Sequence, residues 1–269
     1  MWHGSVKKAP ISGAFFISAL AALTLYLFSA TASASNNCAP DRIDASVQVV
    51  YVYDGDTVRL SNGDRVRLVG INTPEMARDG HPAQAYSVEA RNKLRQILLK
   101  NNNTLTLRYG VERHDRYHRL LAHAFLSDGR SISSMLLEQG FGIQLVVPPN
   151  LFNLDCYRKA EHRARDLHKG LWSLPEYQPV STTRLDKSTR GYRIIGGKIT
   201  RIGKGRKSLW LNLEGNVALR IDDKDLHYFS TLQPEHLKDR QIIARGWLYT
   251  FKDQLRMRVR HPAALEVLP

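Results

Sequence analysis

Apolar and polar residues alternate in short runs between residues 47 and 126, and this period of two predicts β-strands. The strands that the pattern predicts are Val47–Tyr53, Thr57–Leu60, Arg65–Ile71, Thr104–Tyr109 and Leu120–Leu126. The second and third are joined by Ser61-Asn62-Gly63-Asp64, in which Asn and Gly tolerate the positive φ of a tight turn. The pattern therefore predicts a β-structure that contains a hairpin.

Apolar residues recur every three or four positions in three further segments, and this spacing predicts helices. The segments are Ala83–Lys100, Ile132–Gln139 and Asp155–His168, and a glycine follows each of the last two, as is common where helices end. Leu171-Trp172 then follows as a predicted core contact. Five strands interleaved with three helices predict an α+β, mainly β fold: a five-stranded barrel of the oligonucleotide-binding type with helices packed on it.

A Pro-, Ser- and Thr-rich stretch at residues 174–191 predicts a linker after this barrel. Beyond it, the strand-like segments are Arg193–Arg201, Ser208–Leu213, Asn216–Ile221, Gln241–Tyr249 and Leu255–Arg260, with a helical or looped insert near Lys224–Leu237. These short strands predict a second, smaller β-rich domain at residues 192–269, with the first domain at residues 47–173.

Residues 1–34 have the order of a secretory signal peptide. Lys7 and Lys8 precede the apolar stretch Ala14–Ser29, and the small residues of Ala30–Ala34 follow at once. An uncleaved anchor is the alternative, but the apolar stretch is short for a membrane span of about 20 residues. We therefore expect an exported protein, periplasmic or secreted, with no membrane span once the signal is removed.

The composition adds a partner class to this picture. The chain is 43% hydrophobic, as globular proteins are, and carries a formal net charge of +14 at pH 7. Such a surplus favours a polyanionic partner, with nucleic acid ahead of anionic lipid or polysaccharide. Charge alone leaves the alternative of a protein that is simply basic.

The two cysteines are Cys38, in the mature N-terminal segment 35–46, and Cys156. In an oxidising compartment a single pair is expected to form one disulfide. Two free thiols are the alternative, which export disfavours. A lipid-bearing Cys38 is disfavoured because the preceding Ser-Asn-Asn lacks the small apolar residues of such sites.

A set of acidic and basic residues surrounds the predicted hairpin. Residues 54–57 read Asp-Gly-Asp-Thr, Arg67 stands six positions before Thr73, and residues 73–75 read Thr-Pro-Glu. Residues 115–120 read Asp-Arg-Tyr-His-Arg-Leu, directly before a predicted strand. With these motifs in this order, residues 47–173 resemble the staphylococcal nuclease (thermonuclease) family.

The resemblance implies a phosphodiesterase whose catalytic residues are Glu75, Arg67 and Arg119. Phosphodiester hydrolysis requires an activated water and donors that follow the charge developing on phosphorus-bound oxygens. Glu75 is the candidate that orients or deprotonates the water. The two arginines would hold the phosphate through planar, bidentate donors that lysine lacks.

The resemblance also implies a Ca²⁺ site formed by Asp56, Asn72 and the carbonyl of Thr73. These are hard oxygen ligands of the type that Ca²⁺ prefers. Most family members carry aspartate where this chain has Asn72, so we expect weaker Ca²⁺ binding or a greater dependence on bound phosphate. The tyrosines that flank the family's nucleotide pocket are missing from residues 140–150, so no base preference is implied.

Each of these residues also has a structural interpretation when it is taken alone. Asp56 could belong to a polar turn, Arg67 to the solvent face of a strand, and Glu75 to the first turn of a helix. An EF-hand is excluded, since Val58 and Leu60 occupy ligand positions of that loop. A zinc site at the nearby histidines is disfavoured because their spacing fits no closed pattern; these are His114, His118 and His123.

Arginines in the C-terminal domain are candidates for a longer substrate track. Strand alternation would put Arg256, Arg258 and Arg260 on one face, where they could follow a phosphate backbone. Basic residues on the last predicted helix offer a weaker candidate, since a solvated helix face has the same composition.

The leading hypothesis is an exported, monomeric, Ca²⁺-dependent nuclease for DNA and RNA. By resemblance, cleavage would have little sequence specificity and would leave 3′-phosphate ends. The alternative is a non-catalytic, nucleic-acid-binding protein of two barrels in which Asn72 marks a decayed metal site. An adaptor that binds another anionic polymer is a third possibility.

Overall fold

The computed structural model of the protein describes residues 1–5 and 38–269. The predicted signal peptide, with its lysines, apolar stretch and small residues, lies outside the described residues except for its first five. Within the described residues, no helix is long and apolar enough to cross a membrane.

The first domain is built on a closed five-stranded barrel. Its strands are β1 (Ala45–Val52), β2 (Thr57–Leu60), β3 (Arg65–Leu68), β5 (Thr104–His114) and β6 (Leu120–Phe125). They follow the order β1-β2-β3-β6-β5, with β3 and β6 parallel and the other strand pairs antiparallel. The core is formed by inward side chains such as Val58, Val66, Leu68 and Leu107, all fully buried. The predicted barrel is confirmed.

Three α-helices of the described chain pack around this barrel: α1 (Ser87–Leu99), α2 (Ile132–Glu138) and α3 (Leu154–Asp166). The first was predicted to begin at Ala83, but Tyr86 has a left-handed backbone with φ of 65°, so the helix begins at Ser87. The second begins where predicted, because the Ser131 side chain accepts a hydrogen bond from the backbone N–H of Ser134.

The predicted strand Arg65–Ile71 is divided in two, which corrects the sequence analysis. It ends as β3 at Leu68 and continues as β4 (Gly70–Asn72), which leaves the barrel and pairs with a short strand that was not predicted, β7 (Ile143–Leu145). Gly70 permits the break: its φ is +88°, and a Cβ there would lie 2.3 Å from the Tyr157 ring.

The predicted disulfide between Cys38 and Cys156 is present, with the two Cα atoms 5.7 Å apart. It joins the segment before β1 to α3. The carbonyl of Cys38 also accepts a hydrogen bond from the Asn153 side chain at 2.6 Å, so two contacts hold this segment against the helix.

The second domain is also a closed barrel. Its strands are β9 (Gly191–Lys204), β10 (Ser208–Leu213), β11 (Val217–Asp222), β12 (Gln241–Phe251) and β13 (Gln254–Arg258). The sheet closes because β12 pairs with β9 as well as with β13. A short strand that was not predicted, β14 (Leu265–Val267), pairs with the other end of β12. The predicted insert consists of two short 3₁₀ helices, Asp223–Phe229 and Pro234–His236.

The predicted linker is ordered and belongs to the second sheet. Within it, β8 (Val180–Ser181) pairs parallel with β9, between 3₁₀ turns at Pro175–Tyr177 and Thr182–Arg184. Thr182 is fully buried, which is unusual for a flexible connection. The domain boundaries at residues 47–173 and 192–269 remain predictions.

The two barrels share a buried contact. Ile143, Leu171 and Trp172 of the first pack with Ile194 of the second. Beside this cluster, Arg245 of β12 donates to the Glu161 carboxylate of α3 at 2.6 Å, with side-chain exposures of 9% and 0%. The ion pair and the apolar cluster together fix the position of the second barrel beside β7.

Candidate active site

The candidate active site lies where β2, β3 and β6 are neighbours in the first barrel. Thr57 of β2 is directly opposite Arg67 of β3, and Arg67 is opposite Leu121 of β6. Arg119 directly precedes β6, and β4 ends at Asn72. The barrel topology thus brings together residues that are separated by more than fifty positions in the sequence.

Asp56 is the buried centre of the site. Its Oδ2 accepts hydrogen bonds from the backbone N–H of Thr73 at 2.7 Å and from the Thr73 hydroxyl at 3.1 Å. Its Oδ1 accepts from the Thr57 hydroxyl at 3.1 Å and lies 3.1 Å from Nε of Arg67. Asp56 is only 4% exposed, and these donors compensate the burial of its charge.

Gly55 explains how Asp56 reaches this position. A Cβ at Gly55 would lie 2.7 Å from Cγ2 of Thr73 and 2.8 Å from Cβ of Ala90 on α1. Glycine therefore lets the turn after β1 approach the helix closely. The turn is also held by Asp54, whose Oδ1 accepts a hydrogen bond from the Asp56 N–H at 2.9 Å.

Arg67 is fixed by the break between β3 and β4. Its Nη1 donates to the carbonyl of Ile71 at 2.8 Å and also to the carbonyl of Leu68, and its Nη2 donates to Oδ1 of Asn72 at 3.2 Å. The side chain is 11% exposed. The irregular backbone that sequence analysis missed is therefore what orients this guanidinium.

Arg119 is oriented by the turn between β5 and β6. Its Nε donates to Oδ2 of Asp115 at 2.7 Å, and Oδ1 of Asp115 accepts the backbone N–H groups of Tyr117 and Arg119 at 2.9 and 3.0 Å. Burial acts to raise the pKa of Asp115, but the hydrogen bonds from Arg119 and Tyr117 outweigh it and lower that pKa. The arginine remains 25% exposed, so part of its guanidinium faces the solvent.

The carboxylates of the site repel one another. Burial, followed by the negative charge of Asp56, raises the pKa of Asp54 to about 7. Partial desolvation and the charge of Asp56 likewise raise the pKa of Glu75, while Arg67 and Arg119 act in the opposite direction. The backbone N–H of Glu75 donates to the Gln84 side chain at 2.9 Å, which holds the loop after Pro74. A further positive charge in this site would relieve the repulsion.

The donors present fit a hard divalent cation. The carboxylate of Asp56 and the amide oxygen of Asn72 both contact the Arg67 guanidinium, and the backbone N–H of Thr73 donates a hydrogen bond to Asp56. Oxygen ligands of this kind suit Ca²⁺. The described residues hold no ready-made cluster of three acidic, histidine or cysteine side chains. Besides the Asp56 carboxylate, a cation here would be held by carbonyl and amide oxygens, water and phosphate.

The histidines do not form a zinc centre among the described residues. His114 and His118 are exposed, whereas His123 is fully buried in the barrel. Nδ1 of His123 lies 3.0 Å from the Tyr157 hydroxyl, and burial lowers the pKa of His123 to about 3. His123 therefore belongs to the core of the domain.

Two acidic residues of the site were not among the predicted site residues, Asp54 and Asp115. The Asp-Gly-Asp spacing was a usable signal for Asp54, because two carboxylates one residue apart at a turn reach the same space. Asp115 could be recognised only once the turn was known, since it acts by orienting Arg119.

The three C-terminal arginines lie on the second barrel and outside this cluster. Arg258 contacts Asp222 at 2.6 Å and Asp225 at 3.3 Å, and Arg260 contacts Asp225 at 3.4 Å and the carbonyl of Pro148 at 2.9 Å. Arg256, by contrast, has no acidic partner among the described residues.

Comparisons with known proteins agree with this geometry. The family model described as staphylococcal nuclease homologue matches residues 65–174. The thermonuclease of Staphylococcus intermedius is 32% identical over 134 residues, which cover 47% of this chain and 76% of that protein. The SPbeta prophage-derived endonuclease YokF of Bacillus subtilis is 32% identical over 129 residues, covering 46% of this chain and 43% of that protein.

A second Bacillus subtilis protein, endonuclease YncB, is 32% identical over 137 residues, covering 49% of this chain and 64% of that protein. The match thus spans less than two thirds of the length of each of these two Bacillus relatives. The region matched by the family model, residues 65–174, contains Arg67, Glu75 and Arg119 of the candidate site. The match to the Staphylococcus intermedius thermonuclease, which covers 76% of that protein, agrees with the arrangement of the first barrel. The chain therefore belongs to the staphylococcal nuclease family.

Proposed function

We propose that this protein is a nuclease that hydrolyses the phosphodiester bonds of DNA and RNA with little sequence specificity. The observation that carries the proposal is the convergence of Glu75, Arg67 and Arg119 around the buried carboxylate of Asp56. Each arginine is oriented by a separate contact, Arg67 by β4 and Arg119 by Asp115. Such preorganised donors are the main source of electrostatic stabilisation in phosphoryl transfer.

The three residues divide the reaction between them. Glu75 accepts a proton from the attacking water, and burial, which raises the pKa of its carboxyl, makes the carboxylate a stronger base. The guanidinium groups hold the non-bridging phosphate oxygens as negative charge develops on them. The water oxygen bonds to phosphorus, the bond from phosphorus to the 5′ oxygen breaks, and that oxygen takes up a proton. The products are a 3′-phosphate and a 5′-hydroxyl.

The proposed cofactor is Ca²⁺, held by Asp56, Asn72 and the carbonyl of Thr73. When bound, the cation supplies positive charge next to the phosphate and offsets the repulsion among the carboxylates. Because Arg67 already contacts both Asp56 and Asn72, we expect cation binding to compete with these contacts.

The Asn72→Asp variant tests the cation site. Restoring the second carboxylate should lower the Ca²⁺ concentration for half-maximal hydrolysis by about tenfold, because ligand charge raises Ca²⁺ affinity. Calcium binding followed by calorimetry should show the same shift without substrate. An unchanged calcium dependence in both measurements would place the cation elsewhere.

The alternative is a non-catalytic nucleic-acid-binding protein, and Asn72 is the residue that favours it. The two functions are distinguished by incubating single-stranded DNA with the protein over a wide range of Ca²⁺ concentrations and measuring degradation and binding of the DNA. The nuclease should degrade the DNA and stop on addition of chelator. Intact DNA that is nevertheless bound at every Ca²⁺ concentration would support the binding protein instead.

We also propose that the chain is exported, to the periplasm or the medium, and works as a monomer. The order of charges and apolar residues before Ala34 supports export, and so does a disulfide that oxidising compartments favour. N-terminal sequencing of the secreted protein should find a mature chain that starts after the small residues of Ala30–Ala34.

A further inference from the structure

The outward face of β12 carries three exposed aromatic side chains. Trp247, Tyr249 and Phe251 are 48%, 36% and 48% exposed, and Leu248 between them is buried in the second barrel. Alternation along a strand puts all three rings on one side of the sheet. Large exposed rings that repeat on one strand are uncommon on a surface that binds nothing.

Arg256 completes this surface from the neighbouring strand. It lies directly opposite Tyr249 in the β12–β13 register. Its guanidinium carbon is 4.7 Å from the ring centre of Trp210 and 4.5 Å from that of Phe251. We call the set Trp210, Trp247, Tyr249, Phe251 and Arg256 the aromatic face.

Charge distinguishes Arg256 from the arginines that follow it. Arg258 and Arg260 are paired with Asp222 and Asp225, so much of their charge is already compensated. Arg256 has only the neutral Gln254 side chain as a hydrogen-bond acceptor, at 3.0 Å, among the described residues. The stacked guanidinium therefore keeps charge and free N–H groups for an anionic ligand.

Two clefts that share Tyr192 reach from part of the aromatic face toward Asn72 of the candidate active site. Trp247 and Tyr249 line a cleft together with Tyr192 and with Val147 of the first barrel. Tyr192 also lines a second cleft that reaches Asn72 and has arginines on its wall, Arg190 and Arg193. The Tyr192 and Trp247 rings lie edge to face, with their centres 5.1 Å apart.

We propose that the aromatic face binds a single strand of nucleic acid, with its bases stacked on the rings and a phosphate against Arg256. Rings that alternate with unpaired arginines are the surface that single strands use, because every base has an aromatic face. In a duplex the bases are stacked on one another inside the helix, so they are not available to stack on the aromatic side chains. Binding needs only this face, but its use as a guide to the active site rests on the proposed nuclease function.

Fluorescence anisotropy of a labelled oligo(dT) of 20 nucleotides tests the proposal in the full-length chain. Measurements in the Glu75→Gln background with chelator prevent hydrolysis. Tyr249→Leu should raise the Kd about tenfold, since stacking of a base on one aromatic residue has about that effect. Arg256→Ala should also raise the Kd about tenfold, because it removes the contact to a phosphate. Tyr249→Phe, which keeps the ring, should bind like the parent, and Arg256→Lys should bind less well because it keeps charge without the planar group.

Lys238→Ala in an exposed turn of the second barrel is the matched control for loss of one positive charge, and it should change the Kd by less than the Arg256→Ala variant does. Unchanged binding by Tyr249→Leu and Arg256→Ala, with urea midpoints equal to the parent's, would overturn the proposal. Equal losses for the single strand, a duplex and heparin would also overturn it, because they indicate a general polyanion surface.

Hydrolysis separates this proposal from the proposed function. In the catalytically intact chain, Tyr249→Leu should raise KM for long single strands with kcat unchanged, and it should leave cleavage of a dinucleotide unchanged. If no substrate is cleaved but the Kd shifts appear, the aromatic face stands and the nuclease proposal fails. If the substrates are cleaved but the Kd does not shift, the nuclease proposal stands and the proposal for the aromatic face fails.

Discussion

At the scale of single residues, the candidate site is a balance between buried carboxylates and oriented arginines. Asp56 is compensated by Thr73 and Arg67, whereas burial, followed by the negative charge of Asp56, raises the pKa values of Asp54 and Glu75. The environment of each side chain distinguishes residues of the candidate site from residues of the core. His123, close in sequence to Arg119, is a core residue whose chemistry affects stability.

His123 predicts a dependence of stability on pH. In the folded chain burial lowers its pKa to about 3, whereas in the unfolded chain the pKa stays near its ordinary value of 6.5. Between these values the unfolded chain binds more protons. The free energy of unfolding therefore rises with pH, its full value is reached above pH 6.5, and it is lost as pH falls.

The measurement is the slope of the free energy of unfolding against pH from 4.5 to 6. His123→Gln should reduce this slope by up to about 1.4 kcal/mol per pH unit, the contribution of one proton. His114→Gln is the matched control, since His114 is exposed. Equal slopes for wild type and His123→Gln would show that His123 stays neutral in both states.

The residues of the site could largely be read from the sequence, but their orientation could not. Asp56, Arg67, Glu75 and Arg119 are found together around one space, because spacing in the motifs reflects the turns that hold them. The role of Asp115 depends on a hydrogen bond to a side chain four residues away. No alternation of apolar and polar residues encodes such a contact.

At the scale of elements, the pattern of alternation predicted the barrel strands and missed what departs from it. The pattern predicted one continuous strand through Gly70. The spacing of hydrophobic residues does not reveal that Gly70 has a positive φ and lies close to Tyr157. Short strands such as β7 and β14 have three residues each, too few to show a period. Yet the pairing of β4 with β7 is what holds Asn72 and the carbonyls that fix Arg67.

The buried ion pair between Arg245 and Glu161 joins β12 to α3, so its loss should lower the free energy of unfolding. Either Arg245→Met or Glu161→Met leaves a buried unpaired charge and should cost about 3–5 kcal/mol of unfolding free energy. The double variant should cost less than the sum of the two. Urea denaturation of the four chains gives the coupling energy.

Arg130→Met is the control for that cycle, because the Arg130–Asp128 pair is about half exposed and should contribute under about 1 kcal/mol. Strictly additive costs for Arg245→Met and Glu161→Met would mean that the pair does not stabilise the contact between the barrels.

At the scale of the whole molecule, two closed barrels form one unit with an ordered connection. The sequence predicted both barrels and the disulfide, and it predicted a linker in the segment where β8 joins the second sheet. That strand has two residues, and its partner β9 lies beyond the Pro-rich stretch, so only the fold reveals the pairing. Beside the contact between the barrels, two clefts that share Tyr192 reach from Trp247 and Tyr249 toward Asn72 of the candidate active site.

The disulfide links positions that are 118 residues apart, so it should restrict the unfolded chain considerably. Replacing both Cys38 and Cys156 with Ser should lower the free energy of unfolding by about 4–5 kcal/mol in the loop-entropy model. Urea midpoints with and without reductant provide the test, and the double variant should not respond to reductant. A wild-type midpoint that reductant leaves unchanged would contradict the prediction.

The central claim is that Glu75 and the two arginines form a working phosphodiesterase site. The most direct measurement is the single-turnover rate of cleavage of one single-stranded oligonucleotide, in saturating Ca²⁺, by wild type and Glu75→Gln. We predict cleavage by wild type and a rate lower by about 10²–10⁴ in the variant, the usual contribution of a general base. Equal rates, or no cleavage by either protein, would contradict the account.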